Sequence, residues 1–339
     1  MAEPSPVRCA VIGTKHIAAQ HIPVLQALPE AEVAALCDID AEAVEETSRR
    51  FGVERTFTSV DALQAWGEFD AVYVLVSVLA VAEVAERFIR AGVPTFLEKP
   101  PGLYSSDTER LAQAAQETGT TAMVGLNRRF YTCLQTGREA LLDTGDVVSV
   151  TVHADEDVSA QWAGTKFPPE VAMRWAYANS IHSLDLLRYL GGDVAKVTSV
   201  VRQRRLPKPD SFNALLEYES GAVGRAIADH FGPKGTGHWY EARTATAVLT
   251  SAATSAAPGD RLSSCTLVRA GREPVRFGLT GLDRRLKPGF PGESRAFLRA
   301  VQNGEPVSFP APTLDDAVRT MKMIDEITGA EEWAPKPTS

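Results

Sequence analysis

Four stretches of the chain hold residues whose types and spacing could do chemistry. Gly13-Thr14-Lys15-His16-Ile17-Ala18 follows an apolar run, Val7 to Ile12, and opens a segment of helical spacing. It meets two positions of G-x-G-x-x-G/A, the pattern by which a strand-to-helix turn takes a dinucleotide pyrophosphate on a helix N-terminus. Gly13 permits the tight turn and Ala18 close helix packing, while Lys15 stands where a second glycine would let backbone approach phosphate. The Lys15 ammonium could meet the phosphates itself or fill the space they need, and the turn alone also suits a plain strand-to-helix connection. Asp38 ends the second apolar run 25 residues on. A carboxylate there accepts from the adenosine ribose hydroxyls and repels a 2′-phosphate, so NAD is expected over NADP. An exposed carboxylate before a helix is the alternative. Lys99, in Glu98-Lys99-Pro100 after the run Thr95 to Leu97, could donate to a ligand carbonyl or hydroxyl, or stand in solvent as a loop lysine. His182, within Asn179-Ser180-Ile181-His182-Ser183-Leu184-Asp185, has an imidazole suited to proton exchange with a hydroxyl, and Asp185 one turn on could orient it. A lone histidine on an apolar helix also suits a core. His153 beside Asp155, Glu156 and Asp157 offers metal-ligand types but reads as a solvated strand end, so no metal is expected. His16 and His21, five apart, do not share a helical face well, and no nucleophile elbow, Walker loop or HExxH occurs.

The elements that must position these residues follow from periodicity. Strands at Val7 to Ile12, Glu32 to Cys37, Thr56-Phe57, Ala71 to Val76, Thr95 to Leu97 and Ala122 to Val124 alternate with helices at His16 to Leu28, Ala41 to Phe51, Asp61 to Trp66, Ala82 to Ala91 and Asp107 to Glu117. Such alternation means βαβ units, hence an α/β class with a Rossmann-type doubly wound parallel sheet over residues 1–125. From 126 to 312 strand-like runs dominate (Val147 to His153, Val197 to Val201, Ala214 to Tyr218, Gly224 to Asp229, Ala245 to Thr250), with helices ending near Leu142 and spanning Ile181 to Leu190. That texture predicts an α+β domain with a largely antiparallel sheet and helices on one face. Asp260 to Gly292 reads as loop, and residues 313–339 as a final helix, Leu314 to Thr328, and tail.

At 339 residues the chain exceeds a single ordinary core, and an apolar share of 44% lets each domain build one. A net charge of -8 with scattered basic residues excludes a nucleic-acid or anionic-membrane footprint and leaves a small-molecule partner. Cys9, Cys37, Cys133 and Cys265 form no CxxC pair, which fits a reducing cytoplasm. Met1 to Pro6 has no secretory pattern, and the longest apolar stretch, Ala71 to Ala82, falls short of the ~20 residues of a membrane helix.

Glu98-Lys99-Pro100, followed by Met123-Val124-Gly125-Leu126-Asn127-Arg128-Arg129-Phe130, resembles the glucose-fructose oxidoreductase, inositol dehydrogenase and rhizopine-catabolism (Gfo/Idh/MocA) family. The likeness covers most of the chain. It implies hydride transfer between NAD(P) and a sugar, cyclitol or related alcohol, with Lys99 on the reacting oxygen and His182 as acid/base. It also implies cofactor contacts at Gly13, Thr14, Lys15, His16, Ile17, Asp38, Val76, Ser77, Glu98, Lys99 and Asn127. The implied substrate cleft has Lys99, Arg128, Arg174, Tyr177, Asn179 and His182, and Arg174 could equally meet a phosphate or carboxylate or stand at the surface. A homodimer or homotetramer built on an exposed sheet face follows from the same resemblance. Two departures stand out: Ala178 replaces an aspartate common four residues before the histidine, and Val76-Ser77-Val78-Leu79-Ala80-Val81 replaces a Thr-Pro-Asn-x-x-His segment. They leave room for altered chemistry on the same fold, redox-neutral or imine-reducing, and for a ligand-binding protein that has lost the cofactor.

Overall fold

The structure, a computed structural model, describes residues 5–158, 167–232, 237–251 and 262–330. It divides into two compact units: residues 1–130 with 281–318, and residues 131–280 with 319–339.

The first unit is a six-stranded sheet in the order β3-β2-β1-β4-β5-β6. The strands are β1 Val7–Ile12, β2 Ala31–Cys37, β3 Thr56–Phe57, β4 Ala71–Val74, β5 Thr95–Glu98 and β6 Ala122–Gly125, and every pairing is parallel. Every residue of β4, β5 and β6 is buried, as it must be when helices cover both faces. The helices are α1 Ala18–Ala27, α2 Ala41–Phe51, α3 Val60–Trp66, α4 Val81–Arg90 and α5 Ser105–Thr118. Local signals set their ends. Asp40 caps α2 by accepting from the Ala43 N–H, and Gly52 stops it in the left-handed region at φ +69°.

The contiguous boundaries at 125 and 312 differ from this division because the chain returns to the parallel-sheet core. Phe290, Phe297 and Leu298 join Tyr73 and Phe96 there, with Tyr73 stacked on Phe96 at 4.7 Å and Phe297 edge-on to Tyr73 at 5.6 Å. The three late residues belong to a helix, Phe290–Asn303, numbered α9 in chain order.

The second unit is an eight-stranded sheet, β14-β13-β12-β11-β7-β10-β9-β8. Its strands are β7 Ser149–Ala154, β8 Val194–Arg202, β9 Ser211–Tyr218, β10 Val223–Asp229, β11 His238–Arg243, β12 Ala247–Ser251, β13 Ser264–Arg269 and β14 Val275–Gly278. The β7–β10 pair is parallel and the other six pairings are antiparallel. Helices α6 Thr132–Leu142, α7 Pro169–Met173 and α8 Ile181–Gly191 belong to this unit, and α10 Leu314–Thr328 closes the described chain. Strand β9 alternates buried Ala214, Leu216 and Tyr218 with exposed Asn213, Leu215 and Glu217, so one face is packed and the other open.

The loop reading of Asp260 to Gly292 is corrected over its described part. Residues 264–278 form the β13–β14 hairpin, turning at Gly271 with φ +69°. Its buried Cys265 and Leu267 are spaced by polar residues, and β14 is an edge strand whose exposed Val275, Arg276 and Gly278 gave it the composition of a loop. Asp260 itself lies outside the described residues. Strand β11 carries Trp239, Tyr240 and two charged residues and was not among the strands expected from sequence.

Candidate active site

The strand order of the first sheet reverses between β1 and β4, and such switch points open a crevice at the carboxyl ends of the strands. Gly13 sits there with φ +91°, and a Cβ on it would lie 2.6 Å from the Leu75 carbonyl oxygen and 2.9 Å from the Val76 nitrogen. Only glycine lets the two strand ends meet. The Thr14 N–H donates to Asp38 Oδ2 at 2.8 Å, the Thr14 hydroxyl reaches the same oxygen at 3.1 Å, and the Asp40 N–H donates to Oδ1 at 3.0 Å. A carboxylate accepts about four hydrogen bonds, so these three orient Asp38 and leave one position for a further donor. Lys15 pairs with Asp40, Nζ to Oδ2 3.0 Å, and that hydrogen bond raises the lysine's proton affinity. His16 is exposed and Ile17 half-buried, and Ile17 gives α1 no side-chain cap, so the amides opening that helix face the turn. Val76 is half-buried and Ser77 exposed, and the Ser77 carbonyl accepts from Ala80 and Val81 as the chain enters α4.

At the end of β5, Glu98 is buried and Lys99 half-buried. Glu98 Oε2 accepts the Lys99 N–H at 3.0 Å while Oε1 lies 2.8 Å from His21 Nε2. Beyond β6, residues Asn127–Phe130 form one 3-10 turn. It buries Asn127, Arg129 and Phe130 and leaves Arg128 half-buried. Arg129 is paired with Asp316 at 2.6 Å. The Asn127 amide donates to the Pro288 carbonyl at 3.0 Å, whereas its buried Oδ1 has no hydrogen-bond partner among the described residues. The residues present fit a dinucleotide: a glycine cradle at β1 that a Cβ would fill, an oriented carboxylate, and an orphaned buried acceptor beyond β6, three strands from the cradle along the same sheet edge.

In the second unit a π-helical turn, Ala176–Ser180, runs into α8, an irregularity common at functional sites. Its tether is Glu156, which accepts from Trp175 Nε1 at 2.8 Å, Asn179 Nδ2 at 2.6 Å and Ser180 Oγ at 2.7 Å. His238 Nδ1 lies 2.7 Å from Ser183 Oγ, and its Nε2 is 3.9 Å from Glu156. His182 is half-buried on the first turn of α8, and Asp185, one turn on, is buried and accepts from Thr320 of α10 at 2.9 Å. Tyr177 is buried with its hydroxyl 2.5 Å from Asp325, and Arg174 lies over the Tyr177 ring at 4.0 Å and 3.6 Å from Asp325. Burial and the Asp325 charge push the Tyr177 phenol up. Tyr177 and Arg174 thus brace the π turn against α10. His230, buried and kept neutral by burial and by Lys208, lies 3.4 Å from Ser180 Oγ. Lys208 donates to the carbonyls of Ala172 and Met173 at 2.7 and 3.1 Å, and burial brings its proton affinity down to about 8. His153 stacks on Trp239 at 4.1 Å, away from this group.

Sequence reasoning missed His238 and the tethering role of Glu156, whose partners lie 19 to 55 residues away with no spacing to mark them. His21 and Glu293 did leave a signal: each is a polar residue on the apolar stripe of its helix.

A Rossmann sheet with a glycine turn at its switch point, followed by an open α/β sheet unit, is the build of an NAD-binding oxidoreductase. The chain belongs to the Gfo/Idh/MocA oxidoreductase family: residues 7–126 match its NAD-binding Rossmann fold and residues 138–332 its C-terminal alpha/beta domain. A D-apiose dehydrogenase of Paraburkholderia graminis is 26% identical over 63% of this chain and 58% of its own length. The inositol 2-dehydrogenase of Rhizobium meliloti is 26% identical over 94% of this chain and 95% of its own. The solved structure of a levoglucosan dehydrogenase in complex with NADH shares the fold with a TM-score of 0.80 at 16% identity, covering 95% of this chain and 96% of that one. The chain is an enzyme of the oxidoreductase class, and these relatives are dehydrogenases of CH–OH groups.

Proposed function

We propose that the protein is an NAD-dependent dehydrogenase moving a hydride between the carbinol carbon of a sugar- or cyclitol-like substrate and nicotinamide. The carrying observation is the alignment of Gly13, Asp38, Lys99 and Asn127 at the carboxyl ends of β1, β2, β5 and β6, one edge of one sheet. NAD supplies the hydride acceptor when bound. Gly13, Thr14 and the amides opening α1, through His16 and Ile17, hold its pyrophosphate, with Lys15 adding charge. The remaining acceptor position of Asp38 takes a ribose hydroxyl, and the Asp38 and Asp40 charges disfavour a 2′-phosphate. Val76 and Ser77 border the crevice, and Asn127 Oδ1 accepts from the carboxamide. The Lys99 ammonium donates to the substrate oxygen, and His182 takes or returns the hydroxyl proton. Asn179, held by Glu156, and Arg128 bind the substrate, while Arg174 and Tyr177 act behind them.

The alternating open face of the second sheet exposes Val200, Leu215 and Val223 at 51%, 56% and 48%, and we assign it to a homodimer or homotetramer. All four cysteines are buried thiols outside any disulfide, which suits the cytoplasm, and no described helix is long and apolar enough to cross a membrane.

Calorimetry with NAD and NADP on the wild type and on Lys15→Gly, followed by a polyol and aldose screen read at NADH absorbance, tests the proposal. Tight NAD binding with turnover of a polyol supports it. The Lys15–Asp40 ion pair favours the second reading, a ligand-binding protein without cofactor. No NAD binding until Lys15→Gly restores it would make that reading the right one.

A further inference from the structure

The core of the first unit contains a buried ionisable cluster that the proposed reaction does not use. His21 on α1 is fully buried, stacked on Phe290 at 4.3 Å and edge-on to Phe96 at 5.4 Å. Its Nε2 lies 2.8 Å from Glu98 Oε1, and Glu98 Oε2 accepts the N–H of Lys99 at 3.0 Å. Glu293 on α9 is also fully buried, and neither of its carboxyl oxygens has a hydrogen-bond partner among the described residues. One side-chain atom from each of His21, Glu98 and Glu293 lies within 4.8 Å of the other two.

Two carboxyl groups this close in an apolar core cannot both ionise against one imidazole. The charged and titratable groups facing Glu293 are Glu98 from β5, His21 from α1, Tyr73 from β4 and Asp283 from the turn before α9. Burial first, then the Glu98 and Asp283 charges, push the Glu293 carboxyl well up and keep it neutral. The two Glu98 oxygens have different tasks: one is taken by His21, the other holds the backbone from which the Lys99 side chain starts.

We propose that His21 is a positioning residue for Lys99, acting through Glu98: the imidazole fixes one carboxylate oxygen so that the other clamps the Lys99 amide, while Glu293 only closes the back of the cluster as an uncharged acid. The importance of Lys99 rests on the dehydrogenase reading above, but the clamp itself does not. The same three side chains could be taken for a divalent-metal site, and the distances oppose this. Tetrahedral zinc with bonds of about 2.0 Å would separate its ligands by about 3.3 Å, whereas the His21–Glu98 contact of 2.8 Å is that of an N–H donating to a carboxylate.

The test reads Lys99 directly. Whole wild-type chain, His21→Gln, Glu98→Gln, Glu293→Gln and the packing control Phe290→Leu are treated with a trace acylating reagent, and the Lys99 labelling rate is measured by mass spectrometry against exposed Lys196 across pH 7 to 10. The expected result is a threefold or larger change in Lys99 rate in His21→Gln and Glu98→Gln, with Glu293→Gln and Phe290→Leu within twofold of wild type. Lys99 labelling unchanged in His21→Gln overturns the clamp, as does stoichiometric zinc, manganese or iron in the purified protein. If His21→Gln does not fold, the melting temperatures of wild type and Glu293→Gln decide. The folded Glu293 keeps a proton that the unfolded chain releases above about pH 4.3, so wild-type stability must fall relative to the glutamine variant from pH 4.5 to pH 7. A constant difference over that range overturns the proposal. Failure of the wild type to oxidise any polyol with NAD would remove the dehydrogenase reading while leaving the labelling and melting results to judge the clamp.

Discussion

The two sheets solve the placing of functional groups in opposite ways. In the parallel sheet both faces are covered and β4 to β6 are buried at every residue, so a polar group projecting sideways loses its water. Its functional candidates therefore sit at strand ends: Gly13, Asp38, Lys99 and Asn127 are placed by main chain and register. In the antiparallel sheet one face is open, the other is covered by helix, and the candidates lie on the covering helix and the π turn before it, tethered by two carboxylates, Glu156 and Asp325. Position is set by backbone geometry in the first case and by side-chain hydrogen bonds in the second, so the two regions should break differently.

Gly13→Val should show the largest effect. The new side chain meets the Leu75 carbonyl in a left-handed conformation, and both NAD affinity and stability should collapse, the latter by about 3 kcal/mol or more. Calorimetry and a thermal melt check it, and retained affinity would show that the turn is not placed by backbone. In the second sheet, Leu216→Ala against Leu215→Ala separates the faces. The buried leucine should cost about 2–5 kcal/mol and its exposed neighbour less than about 0.5 kcal/mol in denaturant melts of protein diluted to single protomers, where the proposed subunit contact is absent. Equal losses would mean that the open face is also packed. Glu156→Gln removes the charge that three donors share and should cost about 2 kcal/mol, lowering kcat for the polyol with NAD affinity unchanged. A change in NAD affinity there would erase the contrast between the two regions. Asp38→Ser should move the NAD to NADP preference by about tenfold toward NADP, worth about 1.4 kcal/mol, in paired titrations. The last effect is a pH slope. Lys208 binds its proton less tightly when folded, at about 8, than the unfolded chain does at about 10.4, so stability should rise as pH goes from 8 to 10. Lys208→Met should flatten that part of the melting profile.

Sequence made the parallel sheet legible because its strands are short apolar runs and its helices are punctuated by glycine, as at Gly52, Gly67 and Gly119. The candidate residues at strand ends came with it, since finding the strand finds its end. The hairpin β13–β14 and strand β11 were hidden by charged, edge-like composition. Glu156 was visible only as an acidic neighbour of His153, because its role depends on donors that the fold brings from the π turn. Lys15 and Tyr177 were legible in place but not in partner: one turns to Asp40 and the other to Asp325.

The return of the chain to the first unit has a consequence for biosynthesis. Between the two portions that make this unit lie 150 residues, which a ribosome adding about 5–20 residues per second needs about 8 to 30 s to deliver. Throughout that interval Tyr73 and Phe96 lack their late aromatic neighbours, and Glu98 has His21 but not Glu293. The nascent first segment is thus an apolar sheet whose covering helix is not yet translated, and its core closes only once α9 has been made.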